Sequence, residues 1–251
     1  METVVAALAE QQDELSDLVA GLDEAGWQRS SQCEGWSISD VVLHVAQTNE
    51  MALASATDRL AEWTNEVASD LPPSGSIDER ADQLVAHQRG APGADVLARY
   101  RASGIALREA LLARRPDDRV QWVAGELAAR TLATTRLAET WIHTGDVADG
   151  LGVTLEPTDR LWHVARLAWR TLPYAFARDG RELSGPVAFE LRSPGGNAWD
   201  FGTDTEPLTT IRGTALDLVR VASRRVAAKE TELTGDGPDA EAVLELVRTW
   251  A

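Results

Sequence analysis

The chain has 251 residues, 44% hydrophobic and 25% charged, the balance of a soluble globular protein with room for one large domain or two modest ones. Its formal net charge of −16 repels a phosphate backbone, and with no strong basic cluster this argues against nucleic acid as a partner. No apolar run reaches the roughly 18 to 20 residues of a membrane span, and Cys33, the only cysteine, leaves no intrachain disulfide and no thiolate metal cage. The N-terminus lacks a basic start and soon meets Glu10, Asp13 and Glu14, so it does not read as a secretory signal, and the protein is expected in the cytosol.

In chain order, apolar positions at Val4, Val5, Leu8, Leu15, Leu18 and Val19 predict an amphipathic helix over residues 3–22. Ser37, followed three residues on by Asp40, has the form of a capping box, and the run from Val41 to Trp63 predicts one long helix with His44 in its second turn. LPPSGS at residues 71–76 breaks the pattern. A short helix over 79–88 and a longer one over 95–114 come next, the latter stopping at Pro116. Further helices are expected over 125–151 and 158–177. After Gly180 the texture alternates: 186–192, 198–201 and 208–211 read as short strands, 214–227 as a helix, 230–233 as a possible strand and 239–250 as a last helix. The whole is mainly α, an up-and-down helical bundle over residues 1–178 followed by a small α+β domain over 179–251.

The helix over 125–151 raises the functional question. Thr135, Glu139, His143 and Asp146 recur along one face of an otherwise apolar segment. Such a stripe either faces water or binds something. Glu139 and His143, at i and i+4, can bring a carboxylate oxygen and an imidazole nitrogen to one ion. His44, flanked by Val41, Leu43 and Val45 on another helix, is placed to turn inward, and facing bundle helices commonly build metal sites in this way. Asp146 is either a hydrogen-bonding partner of a ligand or a solvated acid. His87, in a polar stretch, reads as a surface residue, and His163 as a packed or capping one. Cys33 precedes the His44 helix and reads as a small packed thiol near the pocket, while Trp36 and Trp141 are candidate pocket walls.

CEGWSISDVVLHVAQTNEMA resembles the Gly-Trp-Ser/Thr-x-x-Asp-x-x-x-His segment that opens the second helix of the DinB-like superfamily, in particular its mycothiol-dependent maleylpyruvate isomerase family. RLAETWIHTGDVADGLGV resembles the second metal motif of that family, and the likeness continues through TDRLWHVARLAWRT, WDFG, GTALDLVRVASRR and AEAVLELVRTW. It therefore covers most of the chain. The resemblance implies a DinB-like four-helix bundle with a small α+β domain behind it, and it makes His44, Glu139 and His143 the ligands of a metal ion, most often zinc. Gly35, Trp36 and Asp40 become the frame of the first motif, and Asp146 a partner of a ligand or bound water. Arg224 and Arg225 match a doubled basic position in a domain from which the isomerases take an Arg to hold an acidic substrate. Two departures stand out: Val226 follows the doubled Arg where relatives often carry a His, and RVQWVAGELAARTLATT lacks their small-residue and Pro-rich turn.

The activity implied is that of a zinc-dependent enzyme using a low-molecular-weight thiol such as mycothiol as cosubstrate. The metal favours the thiolate, which is the nucleophile for cis-trans isomerisation or S-transfer on a small electrophilic metabolite. Two rival readings remain: a thiol-independent metal-dependent hydrolase, lyase or cyclase, and a ligand-binding protein without turnover.

Overall fold

The protein's structure is a computed structural model that describes residues 1–123 and 125–249. Two compact units make up the chain, Met1–Leu155 and Glu156–Ala251. The first opens with α1 (Glu2–Val19) and the single turn α2 (Glu24–Trp27), started by Asp23, whose side chain accepts from the Gly26 N–H. Ser37 and Asp40 form a reciprocal cap, each side chain accepting from the other's backbone N–H, and α3 (Ile38–Ala56) follows.

Periodicity carries α3 on to Trp63, but the structure ends it at Ala56 and resumes as α4 (Leu60–Ala68). Asp58 stands between them at φ 60, and the Thr57 hydroxyl donates to the Leu53 carbonyl. A short polar residue tolerates this left-handed conformation, which a continuing helix forbids. Beyond the proline-containing connection, Ser76 caps α5 (Ile77–Gln88), and α6 (Gly93–Leu112) follows. Residues 125–128, expected as helix, instead form a strand: β1 (Arg119–Trp122) and β2 (Gly125–Ala128) pair antiparallel, with Trp122 opposite Gly125. Gly125 sits at φ 104, outside helical geometry, so α7 starts only at Ala129 and runs to Leu151.

The long helices α1, α3, α6 and α7 close into a bundle in which α1 and α3 each pack against both α6 and α7. Leu8, Leu15, Ile38, Val42, Leu107, Leu111, Leu132 and Leu137 are fully enclosed in the first unit. Each large apolar side chain so buried contributes ~1.5–3 kcal/mol. No helix among the described residues is long and apolar enough to cross a membrane.

In the second unit, α8 (Leu161–Arg170) and α9 (Leu172–Arg178) replace one expected helix. Pro173 near the start of α9 has no N–H to continue the ladder, and the chain steps at Thr171. These helices pack on α10 (Ala215–Ala222) and α11 (Ala240–Leu246), which is why the unit begins at Glu156 rather than after residue 178. The sheet runs in the order β4 (Ala198–Phe201), β3 (Val187–Arg192), β5 (Thr209–Thr214) and β6 (Thr234–Asp236), with β3 and β5 parallel. The strand expected over 230–233 falls later, because Ala228–Glu230 forms a 3-10 turn. Helix α10 stops at Ala222, where Arg224 takes φ 62 and the Arg225 N–H returns to the Arg220 carbonyl. The last helix likewise ends at Leu246, earlier than expected, and Trp250 lies outside the described residues.

Gly150 ties the end of α7 to the loop before α3. A Cβ there would stand 2.6 Å from the Ser30 carbonyl oxygen and 2.9 Å from the Ser31 Cα. These are backbone atoms and cannot rotate away. Gly150→Ala should therefore lower stability by ~1–3 kcal/mol, read as a lower urea midpoint at unchanged slope.

Candidate metal centre

The polar stripe of α7 faces inward. Thr135 is 6% exposed, Glu139 6%, His143 9% and Asp146 1%. This burial excludes the solvated reading of Asp146. Helical spacing stacks the four side chains on one face, and the Ser37–Asp40 cap fixes the start of α3 so that His44, 8% exposed, meets them. His44 Nε2 lies 2.9 Å from Glu139 Oε1, and His143 Nε2 lies 3.5 Å from the same oxygen. The two imidazole rings are 4.9 Å apart, edge to face. Helix α1 supports the wall, its Gln11 side chain donating to Thr144 Oγ1.

Two imidazole nitrogens and a carboxylate oxygen, all within 4.8 Å of one another, are a donor set that suits a divalent ion such as zinc and leaves coordination positions open. The nitrogen–oxygen separations are near those of atoms each about 2 Å from one ion. His143 also meets the further requirement of a ligating imidazole: its Nδ1–H donates to Asp146 Oδ2 at 2.9 Å, which directs Nε2 toward Glu139.

Burial raises the carboxyl pKa of Glu139, but hydrogen bonds from His143 and His44 and the nearby Arg136 charge hold it well below its usual value. For His143, burial favours the neutral ring, yet its bonds to Asp146, Cys33 and Glu139 outweigh this and raise its pKa well above the usual value. His44 moves the other way, because burial dominates over its bond to Glu139. The two rings therefore shift in opposite directions, His143 toward its charged form and His44 toward its neutral one.

Cys33 is half-buried beside the cluster, its thiol donating to Asp146 Oδ2 at 3.2 Å with His143 Nδ1 at 3.8 Å. A polar groove of about 570 Å3 passes Cys33, Trp36, Ser39 and Asp40. The Trp36 ring stands 5.0 Å from that of His44, and its Nε1–H donates to Asp82. Gly35 adopts φ 77 in the preceding turn. Trp141 is half-buried on α7, His87 is exposed and His163 is half-buried. Arg224 and Arg225 belong to the second unit, where their guanidinium groups donate to the Glu245 and Ser223 carbonyls. Arg136, which opens the RLAETWIHTGDVADGLGV stretch but is given no role there, is the addition: it is buried on α7 one turn before Glu139.

Residues 8–148 match the family described as the mycothiol maleylpyruvate isomerase N-terminal domain. Two uncharacterized proteins from two strains of Mycobacterium tuberculosis are each 32% identical over 248 residues, covering 98% of this chain and 95% of theirs. Among solved structures, the mycothiol-dependent maleylpyruvate isomerase superposes with a TM-score of 0.60, and a histidine-to-alanine mutant of it with 0.61. Both share 19% identity, with 93% of this chain and 92% of theirs covered, a likeness of fold.

The proton on His143 has a sign that can be tested in metal-free protein. Its folded pKa lies above 6.5, so its stabilising contribution is fully present below pH 6.5 and is lost as pH rises through the folded value. In Asp146→Asn that loss should set in at lower pH, seen as an earlier imidazole titration by NMR and an earlier fall in urea midpoint.

Proposed function

Since the chain belongs to the mycothiol maleylpyruvate isomerase N-terminal domain family, we propose that it is a metal-dependent enzyme using a low-molecular-weight thiol, such as mycothiol, on a small electrophilic substrate. The carrying observation is the convergence of His44, Glu139 and His143 inside the bundle of the first unit. An ion held there, with zinc the choice that two imidazoles and a carboxylate favour, supplies a Lewis acid that keeps a thiol deprotonated at neutral pH.

The chain's own residues do the rest. His44 and His143 each offer a neutral nitrogen, and Glu139 offers one negative charge from between them. Asp146 is a positioning residue: by taking the Nδ1–H of His143 it fixes the tautomer in which Nε2 is the free donor atom. The surrounding bundle limits water around all three side chains. In this reading the cosubstrate's thiolate adds to an activated cis double bond, and the electron pair moves onto the activating group. Rotation about the new single bond and departure of the thiolate give the trans isomer, while return of the thiol's proton to the adduct's carbon leaves the sulfur bound and gives S-transfer. The work is placed in the cytosol, where small thiols stay reduced.

Elemental mass spectrometry on tag-free protein tests the reading. The parent should carry about one zinc per chain, and His44→Ala and Glu139→Gln should each lose it while keeping a helical circular-dichroism spectrum. Turnover should require added thiol. Turnover unchanged without thiol would favour a metal-dependent hydrolase, lyase or cyclase. No uptake of supplied zinc would favour ligand binding without catalysis.

A further inference from the structure

Arg136 sits one turn before Glu139 on α7 and is 3% exposed. One of its terminal nitrogens, Nη2, donates to Thr48 Oγ1 at 3.0 Å and stands 3.9 Å from Glu139 Oε1, beyond hydrogen-bonding length. Its Nε–H is buried with no acceptor among the described residues. The guanidinium carbon lies 5.9 Å from the centre of the Trp122 ring, on the β1–β2 hairpin. A buried guanidinium with an unmatched donor and no hydrogen-bonded carboxylate is costly to desolvate, a cost that its attraction to Glu139 at 3.9 Å offsets only in part.

The charges around it suggest why it is there. With both imidazoles neutral, as ligation requires, Glu139 and Asp146 bring two negative charges and Arg136 one positive charge. In that ligating state these charges sum to minus one before the ion is counted, and a divalent ion brings the sum to plus one. Without Arg136, the loaded cluster would be neutral and content with a neutral ligand. We propose that Arg136 selects an anion over a neutral molecule for the position that His44, Glu139 and His143 leave open, with its unmatched Nε–H as a donor to that anion. The inference rests on the metal reading of the site. It assigns Arg136 as a specificity-determining residue and makes the preferred ligand class anionic.

The test uses cobalt(II)-loaded protein and two small probes of similar size, azide as the anion and imidazole as the neutral ligand, followed by the visible absorption of the metal. Arg136→Met should take up cobalt at least as tightly as the parent, because a repelling charge has gone. Its azide affinity should fall about tenfold or more, while imidazole affinity stays within about threefold. Arg136→Lys should recover part of the azide affinity, because it restores the charge without the planar fork. Unchanged azide affinity in a cobalt-loaded Arg136→Met protein would overturn the inference, and so would an equal loss of both probes, which would mark a structural role. If Arg136→Met does not fold, Arg136→Gln carries the same comparison with an uncharged donor retained. A parent protein that takes up no cobalt would instead overturn the metal reading on which the inference stands.

Discussion

Burying Glu139 is the constraint around which the first unit is organised. A carboxylate taken out of water costs several kcal/mol unless its lone pairs are met. Here they are met from two helices: His44 on α3 reaches it at 2.9 Å and His143 on α7 at 3.5 Å. That pairing fixes the register of α3 against α7, since a shift of one residue on either helix would turn the imidazole away by about 100°. The local devices nearby serve the same end. The Ser37–Asp40 cap sets where α3 begins, Gly150 lets the preceding loop lie against α7, and the Gln32 N–H donates to the Asp146 carbonyl at 3.1 Å.

His143 links this constraint to chemistry because its two nitrogens face different partners. Nε2 looks toward Glu139 and His44, while Nδ1 is held by Asp146 with the Cys33 thiol close by. The surroundings of His143 favour its charged form whereas ligation requires the neutral ring, so folding, protonation and metal binding draw on the same few atoms. Cys33 shares this environment as well as packing against the apolar core of α1, α3 and α6. The groove beside it and the Trp36 ring over His44 put polar and aromatic surface next to the cluster.

The limits of local pattern show at particular elements. The capping box, the break at 71–76 and the apolar faces of α1 and α6 follow from neighbouring residues and were legible as such. The helix ends at Asp58 and Arg224 were not, because both residues adopt a left-handed conformation that depends on the fold around them. The β1–β2 hairpin was also missed: its strands are only four residues each and gain their stability by pairing with each other, a contact that helical periodicity does not register.

The candidate site divides along the same line. The sequence by itself determined that Glu139, His143 and Asp146 share one helical face, since 3.6 residues per turn is a property of the backbone. By likeness of motif it also pointed to His44, ninety-five positions away. Only the tertiary structure decided that the stripe turns inward, that His44 meets it, and that Arg136 lies buried beside Glu139 with an unmatched donor. Those facts depend on which helices pack together and in what register, and packing is settled by the whole core rather than by the spacing of residues along one helix.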